Sequence, residues 1–186
     1  RFKCDWSSDV CSPISAEEIL QYVLREMVDV NGGFYSAEDA DSEGQEGKFY
    51  LWTKKEVVNE LDDEAEVFCR IFNVSEEGNF RTLLQEGGPG ANILYMKKPL
   101  SELASELHRD YEDLEQFIER TTRVLFEARQ KRVHPFKDTK ILTDWNGLMI
   151  AALAKCAQAL NSEKYAEAAK KTSTFIFQKL DLKIVV

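Results

Sequence analysis

Acidic and aromatic residues lie together at two places in the sequence. Glu38, Asp39 and Asp41 put three carboxylates within four positions, and Asp144 with Trp145 repeats the combination near the start of a later predicted helix. Glycoside chemistry uses two carboxylates beside aromatic rings, one carboxylate as the acid and the other as the base or nucleophile. The pattern therefore makes Asp39, Asp41 and Asp144 the candidate catalytic residues.

Two other interpretations of these carboxylates stay open. A cluster of acidic oxygens also suits a hard cation. Alternatively, Asp39 and Asp41 accept backbone N–H groups within a turn, and Asp144 caps the helix that follows it. The residue types alone do not separate a catalytic, a metal-binding and a purely structural use.

Other residues are candidates for contacting a small, sugar-like ligand. Either of two tryptophans can stack on a sugar ring, although a tryptophan at a helix start more often packs in the core with its N–H bonded. An asparagine in the turn that begins a helix lies where the helix N-terminus favours an anionic group. The candidate ligand-binding residues are Glu38, Trp52, Arg132, Trp145 and Asn146.

The candidate Arg132 belongs to a run of basic residues that follows a long predicted helix. Such a run can hold a carboxylate or phosphate group, or it can complement the negative end of the helix dipole. The run consists of Arg129, Lys131, Arg132 and Lys137.

Histidine and cysteine spacing indicates no metal site and no cofactor. His108 and His134 have no partner at metal-binding spacing and no Ser or Cys companion nearby in sequence. The cysteines form no CxxC pair, which indicates a reducing, cytoplasmic compartment in which two of them, Cys69 and Cys156, pack in helix cores. The cysteines are Cys4, Cys11, Cys69 and Cys156.

Composition and charge narrow the range of partners. The formal net charge of −9 repels phosphate backbones and anionic membrane surfaces, so nucleic acid and membrane are excluded as expected partners. No apolar run approaches the roughly 18 residues that a membrane span needs. A composition of 44% hydrophobic and 31% charged residues is typical of a globular domain.

Two capping-box patterns mark the first helices. Ser15 with Glu18 begins a helical repeat that stops at residues 31–33, where Gly32 and Gly33 provide a helix stop. Thr53 with Glu56 has the same spacing and begins a helical stretch, which continues in a further run over residues 65–72.

Extended segments are predicted around the acidic loop. Residues 33–36 and 48–52 are short and aromatic, and they flank the loop as a small β-hairpin or an extended clasp. Residues 73–99 are rich in Gly, Asn and Glu and are expected to be loop.

The later helices carry information about the layers of the fold. A short helix is predicted at residues 100–107, and Asp110 caps a long one. Residues 148–160 are apolar nearly all round, which predicts a helix buried on most sides, with Gly147 at a close helix approach. The amphipathic segment 164–176 is expected outside it. Two concentric helical layers or an orthogonal bundle both give this alternation.

Several longer motifs resemble the spermatogenesis-associated protein 20 and YyaL family. They occupy residues 32–42, 46–53, 129–135 and 140–153, with shorter matches at 78–80 and 92–94. The resemblance implies a mainly α fold that is a partial (α/α)6 barrel, like six-hairpin glycosidases and N-acylglucosamine 2-epimerases, with a small β-hairpin insertion. It also implies a thioredoxin-like domain upstream in the parent protein, with carbohydrate and redox roles both suggested by analogy of fold.

The resemblance also divides the chain. Residues 1–13 depart from the family pattern and look like translated sequencing-adaptor sequence. Residues 14–186 are therefore expected to be a truncated fragment of the barrel.

The leading functional hypothesis depends on a shared rim. If the first helix, the 53–72 stretch and the long third helix alternate in direction, Asp39 and Asp144 lie at one rim of the barrel and enclose a carbohydrate-like molecule. The alternative is a structural scaffold for the thioredoxin-like domain, in which the acidic residues have only structural roles.

Overall fold

The computed structural model describes residues 11–80 and 89–179, and the chain is mainly helical. The helices are α1 (Cys11–Glu26), α2 (Lys54–Leu61), α3 (Ala65–Ile71), α4 (Leu100–Leu107), α5 (Tyr111–Arg129), α6 (Thr143–Ala159) and α7 (Glu163–Lys179). The short strands are β1 (Ala37–Glu38), β2 (Asp41–Ser42), β3 (Gln45–Glu46), β4 (Trp52–Thr53), β5 (Ala91–Asn92) and β6 (Lys137–Asp138). Each strand pairs antiparallel with one other, in the order β1 with β6, β2 with β3 and β4 with β5.

The chain divides into two compact units, each with a core of its own. Unit 1 contains residues 39–136, and unit 2 contains residues 11–38 and 137–179. The core of unit 1 is formed by α2 to α5, while that of unit 2 is formed by α1, α6 and α7 with the Phe34 loop.

Local capping signals begin two helices of unit 1. The Thr53 side chain accepts the Glu56 backbone N–H while the Glu56 carboxylate accepts the Thr53 N–H, so the predicted capping box of α2 is confirmed. The Asp110 side chain accepts the Glu112 N–H at the start of α5. The apolar stripe of α5 then packs against α2 and α4, and Leu114 is completely buried.

The buried amide of Asn92 holds the strands and loops of unit 1 together. Its Nδ2 donates to the carbonyl oxygens of Trp52 at 3.1 Å, Ser75 at 3.1 Å and Gly90 at 2.8 Å, and its Oδ1 accepts the Ser75 N–H. A fully buried amide is tolerated because its polar atoms have partners. Asn92 thus fixes the β4–β5 pair and the turn around residue 75.

Close packing in unit 2 depends on two adjacent glycines. A Cβ on Gly33 would lie 2.6 Å from the ring of Phe175 and 2.8 Å from Ile141 Cδ1. Gly32 has a φ of +109°, and its carbonyl accepts the Thr172 hydroxyl at 2.8 Å. The loop therefore lies directly against α7, which a larger residue at position 33 would prevent.

The structure corrects two predicted local features. Helix α1 begins at Cys11, so Ser15 lies inside the helix instead of beginning it. The hairpin lies within the acidic loop, as β2 and β3, and the predicted flanking segments do not pair with each other: Phe34 of the first bridges to Val28, and Trp52 of the second pairs with Asn92. The predicted hairpin strands were therefore wrong in position.

Helix α6 also differs from its prediction. One face packs in the core through Leu153, but the opposite face is open, with Leu148 72% exposed. Nothing lies within 4 Å of a Cβ built on Gly147, so the expected close approach at Gly147 is not made by the described residues. A helix that is apolar all round is thus buried on one side only.

Candidate functional site

A small cavity of unit 2 lies at the start of α6. Its volume is about 230 Å³, and its walls come from α1, the Phe34 loop and α6. The lining is mostly apolar, with hydroxyls at Tyr35 and Ser36. The lining residues are Val23, Met27, Phe34, Tyr35, Ser36, Leu142, Trp145, Asn146 and Met149.

Two of the predicted ligand-binding residues, Trp145 and Asn146, line this cavity, and they have different environments. Trp145 is 51% exposed, so part of its indole is open to a ligand. Asn146 is buried; its Oδ1 accepts the Phe34 N–H at 2.7 Å, and its Nδ2 donates to the carbonyls of Phe34 at 3.0 Å and Leu142 at 2.8 Å. Asn146 therefore anchors the Phe34 loop to α6 and positions the cavity wall.

The hydroxyls of Tyr35 and Ser36 retain capacity for a ligand. Ser36 Oγ donates to the Asp138 carbonyl at 3.1 Å, and the Tyr35 hydroxyl lies 3.5 Å from Asp29 Oδ2. A hydroxyl that donates one bond can still accept another. Both residues lie in the 32–42 motif, but the sequence did not place them at a cavity because another of its walls comes from the distant helix α6.

Asp144 is exposed in the first turn of α6 and does not line the cavity. The N-cap of α6 is Leu142, which makes no side-chain capping bond. One Asp144 oxygen accepts the N–H of Trp145 at 3.0 Å. The prediction that Asp144 caps the helix is therefore wrong, although its charge still lies at the positive end of the helix dipole.

Glu38 has a structural partner in unit 2. Its Oε2 accepts the Tyr22 hydroxyl at 3.0 Å, which joins β1 to α1. Nearby, Glu26 forms ion pairs with Arg25 at 2.8 Å and with Lys137 at 3.3 Å. Burial acts to raise the pKa of Glu26, but these hydrogen bonds and charges outweigh it, and the pKa lies below its ordinary value of 4.5.

Arg132 of unit 1 binds the chain itself. Its Nη1 donates to the carbonyls of Leu51 at 2.7 Å and Phe49 at 3.0 Å, and its Nη2 donates to Glu56 Oε1 at 3.1 Å. Burial lowers the pKa of Arg132, while the charge of Glu56 opposes this effect. The guanidinium therefore fixes residues 49–51 against α2, which is a structural use of a predicted ligand-binding residue.

Trp52 packs beneath the same guanidinium. The Arg132 Cζ lies 4.0 Å from the Trp52 ring centroid, and Trp52 is 3% exposed. Its ring face is therefore covered by protein in this structure, in contrast to that of Trp145. Trp52 and Arg132 both line a cavity of about 500 Å³, whose other lining residues include two lysines and two glutamates.

Asp39 and Asp41 lie in the acidic hairpin of unit 1, and both are exposed. The Asp41 N–H donates to Asp39 Oδ1 at 3.3 Å, and the Asp39 N–H donates to the Phe136 carbonyl at 2.8 Å. This bond from residue 41 back to the Asp39 side chain is the turn-stabilising arrangement typical of aspartate. Ser42 Oγ fixes the hairpin by donating to the Val133 carbonyl at 2.6 Å.

The predicted catalytic carboxylates divide between the units. Asp39 and Asp41 belong to unit 1 and Asp144 to unit 2, so the shared rim stays a prediction. Within residues 11–80 and 89–179, no three His, Cys, Asp or Glu side chains are grouped closely enough to hold a metal ion. No helix in the described part of the chain is long and apolar enough to cross a membrane.

The fold and the cavity define a mainly helical protein with a small cavity at the start of α6.

No family model matches the chain. It is 33% identical over 179 residues to spermatogenesis-associated protein 20 of Mus musculus and 32% identical to that of Homo sapiens, covering 87% of this chain and 23% of each relative. It is also 32% identical over 180 residues to an uncharacterised protein of Caenorhabditis elegans, covering 88% of this chain and 25% of that relative.

The chain belongs to the spermatogenesis-associated protein 20 family. It spans about a quarter of the length of the curated relatives that it matches.

Proposed function

We propose that unit 2 binds a carbohydrate-like small molecule in the cavity beside Trp145. The observation that carries the proposal is that the half-exposed Trp145 lines a cavity together with Tyr35 and Ser36, two residues that carry hydroxyl groups. An indole face suits the C–H face of a sugar ring, and the two hydroxyls can accept bonds from sugar hydroxyl groups.

The size of the cavity selects a small ligand. Its volume of about 230 Å³ is below the range of roughly 300–1,000 Å³ that is typical of drug-sized ligands. A single sugar ring, or the end of a longer chain, is therefore the favoured occupant. The apolar lining from Met27, Phe34 and Met149 would exclude a ligand that carries a charge at its buried end.

The binding test uses calorimetric titration of this chain with a panel of neutral hexoses and disaccharides. Trp145→Ala should weaken the binding of any sugar that binds by about 2- to 10-fold, which is the usual contribution of an aromatic contact. Phe177→Ala is the matched control, since Phe177 is a 74% exposed aromatic residue of the same unit that does not line the cavity. Equal affinity in both variants would exclude the Trp145 site.

Processing of a carbohydrate by Asp39, Asp41 and Asp144 is a further step that the proposal does not require. Activity that survives both Asp39→Asn and Asp144→Asn would remove Asp39 and Asp144 from any mechanism.

A scaffold role is the second candidate function, and the contacts of three predicted ligand-binding residues favour it. Glu38, Arg132 and Asn146 all form hydrogen bonds within the chain. In this role the chain would support the thioredoxin-like domain that the family resemblance implies. If Asp39→Asn and Asp144→Asn lower the melting temperature and leave every ligand response unchanged, the scaffold role is favoured over the binding role.

A further inference from the structure

The open face of α6 is an exposed apolar surface with a charge at each end. Leu148 lies at its centre and is 72% exposed, and Ala151 beside it is also exposed. Asp144 lies one turn before Leu148, and Lys155 lies one turn after Ala151. These four positions are spaced by four, three and four residues, so they form one continuous stripe along the helix.

Both charges of this stripe are available. Asp144 and Lys155 form no ion pair with any side chain in the described ranges. Gly147 and Ala151 next to Leu148 carry little or no side chain, and a Cβ on Gly147 would meet nothing within 4 Å. A second helix could therefore approach this face closely.

We propose that this face pairs antiparallel with the same face of a second copy of the chain. A two-fold axis between Met149 and Ile150 places Asp144 of each copy level with Lys155 of the other. The same axis places Leu148 level with Ala151 of the other copy, so a large residue faces a small one. A stripe with its acid at one end and its base at the other is complementary to itself only in the antiparallel direction.

The pairing is a small interface and should be weak. A contact between one pair of helices buries less than roughly 1,200 Å² of surface, and interfaces of that size are typically transient. The charge pairs are exposed at its two ends, so the association should weaken as the salt concentration rises.

The test is sedimentation velocity of the chain over a range of concentrations, with charge-exchanged variants. Leu148→Glu should raise the dimer dissociation constant roughly tenfold or more. Asp144→Lys and Lys155→Asp should each weaken the dimer by roughly threefold or more, since each variant places like charges opposite one another at both ends. The double variant Asp144→Lys with Lys155→Asp should restore it, because opposite charges again face each other.

The double variant distinguishes pairing with a second copy of the chain from binding to any other partner, because a second copy carries the same two exchanges. A monomer at every concentration, or larger aggregates without a defined dimer, would overturn the proposal. A dimer that Leu148→Glu leaves intact would also overturn the proposal. The same holds for a dimer that both single charge variants weaken and that the double variant fails to restore. Far-UV circular dichroism shows that each variant keeps its helices, which is expected because all three substituted side chains are exposed. None of these residues lines the cavity of unit 2, so the two proposals can fail separately.

Discussion

Arg132 illustrates how a residue that suggests ligand binding can instead serve the fold. Its guanidinium joins the carbonyls of Phe49 and Leu51 to the capping carboxylate of Glu56 and covers the Trp52 ring. A lysine cannot reproduce this fork of donors, because its ammonium is a single point of charge.

We therefore expect Arg132→Lys to lower the free energy of unfolding by about 3 kcal/mol, since carbonyl groups at a partly buried site would lose their partners. Urea denaturation followed by circular dichroism measures this change. Arg123→Lys, at an exposed position of the preceding helix, should change stability by less than about 0.5 kcal/mol. Equal stability of the two variants would mean that the Arg132 contacts contribute nothing to the fold.

The ion pairs of Glu26 make the stability of unit 2 depend on pH. The pKa of Glu26 in the folded protein lies below its ordinary value of 4.5. The contribution of Glu26 to the stability of unit 2 is therefore complete above pH 4.5. The contribution is lost as the pH falls from about 4.5 through the lower folded pKa. Thermal melts between pH 6 and pH 3 should therefore show less loss of melting temperature for Glu26→Gln than for the unchanged chain. Parallel curves for the two proteins would contradict this linkage.

At the scale of elements, two glycines with opposite surroundings give opposite predictions. Gly33→Ala should destabilise unit 2 by about 1 to 3 kcal/mol, because its Cβ would lie 2.6 Å from the ring of Phe175. Gly147→Ala should instead stabilise α6 by up to about 1 kcal/mol, because its Cβ meets nothing and alanine favours a helix.

Thermal unfolding of both alanine variants beside the unchanged chain measures the difference in sign. A stabilised Gly33→Ala would show that the loop does not lie against α7 as described. A strongly destabilised Gly147→Ala would show that another group occupies the space beside α6.

The predictions from sequence that succeeded have local causes, although two other local predictions, the caps at Ser15 and Asp144, were wrong. The capping box at Thr53 and the cap at Asp110 each depend on residues within a few positions of one another, and the structure confirms both. The strand pairs were missed because β1 pairs with residues 137–138 and β4 with residues 91–92, and no local pattern encodes such partners.

The candidate site was predictable only in part, for the same reason. Trp145 and Asn146 were recognised from their type and position, and both line the unit 2 cavity. The cavity itself was not predictable, because Val23 of α1 and Met27 just after α1 lie more than a hundred positions from Trp145. Whether a polar residue faces a ligand or the chain is decided by contacts of this long-range kind.

At the scale of the whole molecule, the two units carry different kinds of candidate surface. Unit 1 uses Trp52 in its core and Arg132 to bind its own backbone, although both also line a cavity, whereas unit 2 leaves Trp145 half exposed at its cavity. We therefore propose a ligand site in unit 2 and a contact with a second copy through the exposed face of α6.

The most direct measurement of the ligand claim is nuclear magnetic resonance of the nitrogen-15-labelled chain during titration with neutral sugars. We predict that the signals of the Trp145 indole N–H and of the Tyr35 and Ser36 backbone amides shift together along one saturating curve, while the indole signal of the buried Trp52 does not shift. Shifts at Trp52 without shifts at Trp145, or no saturable shift at any sugar concentration, would contradict it.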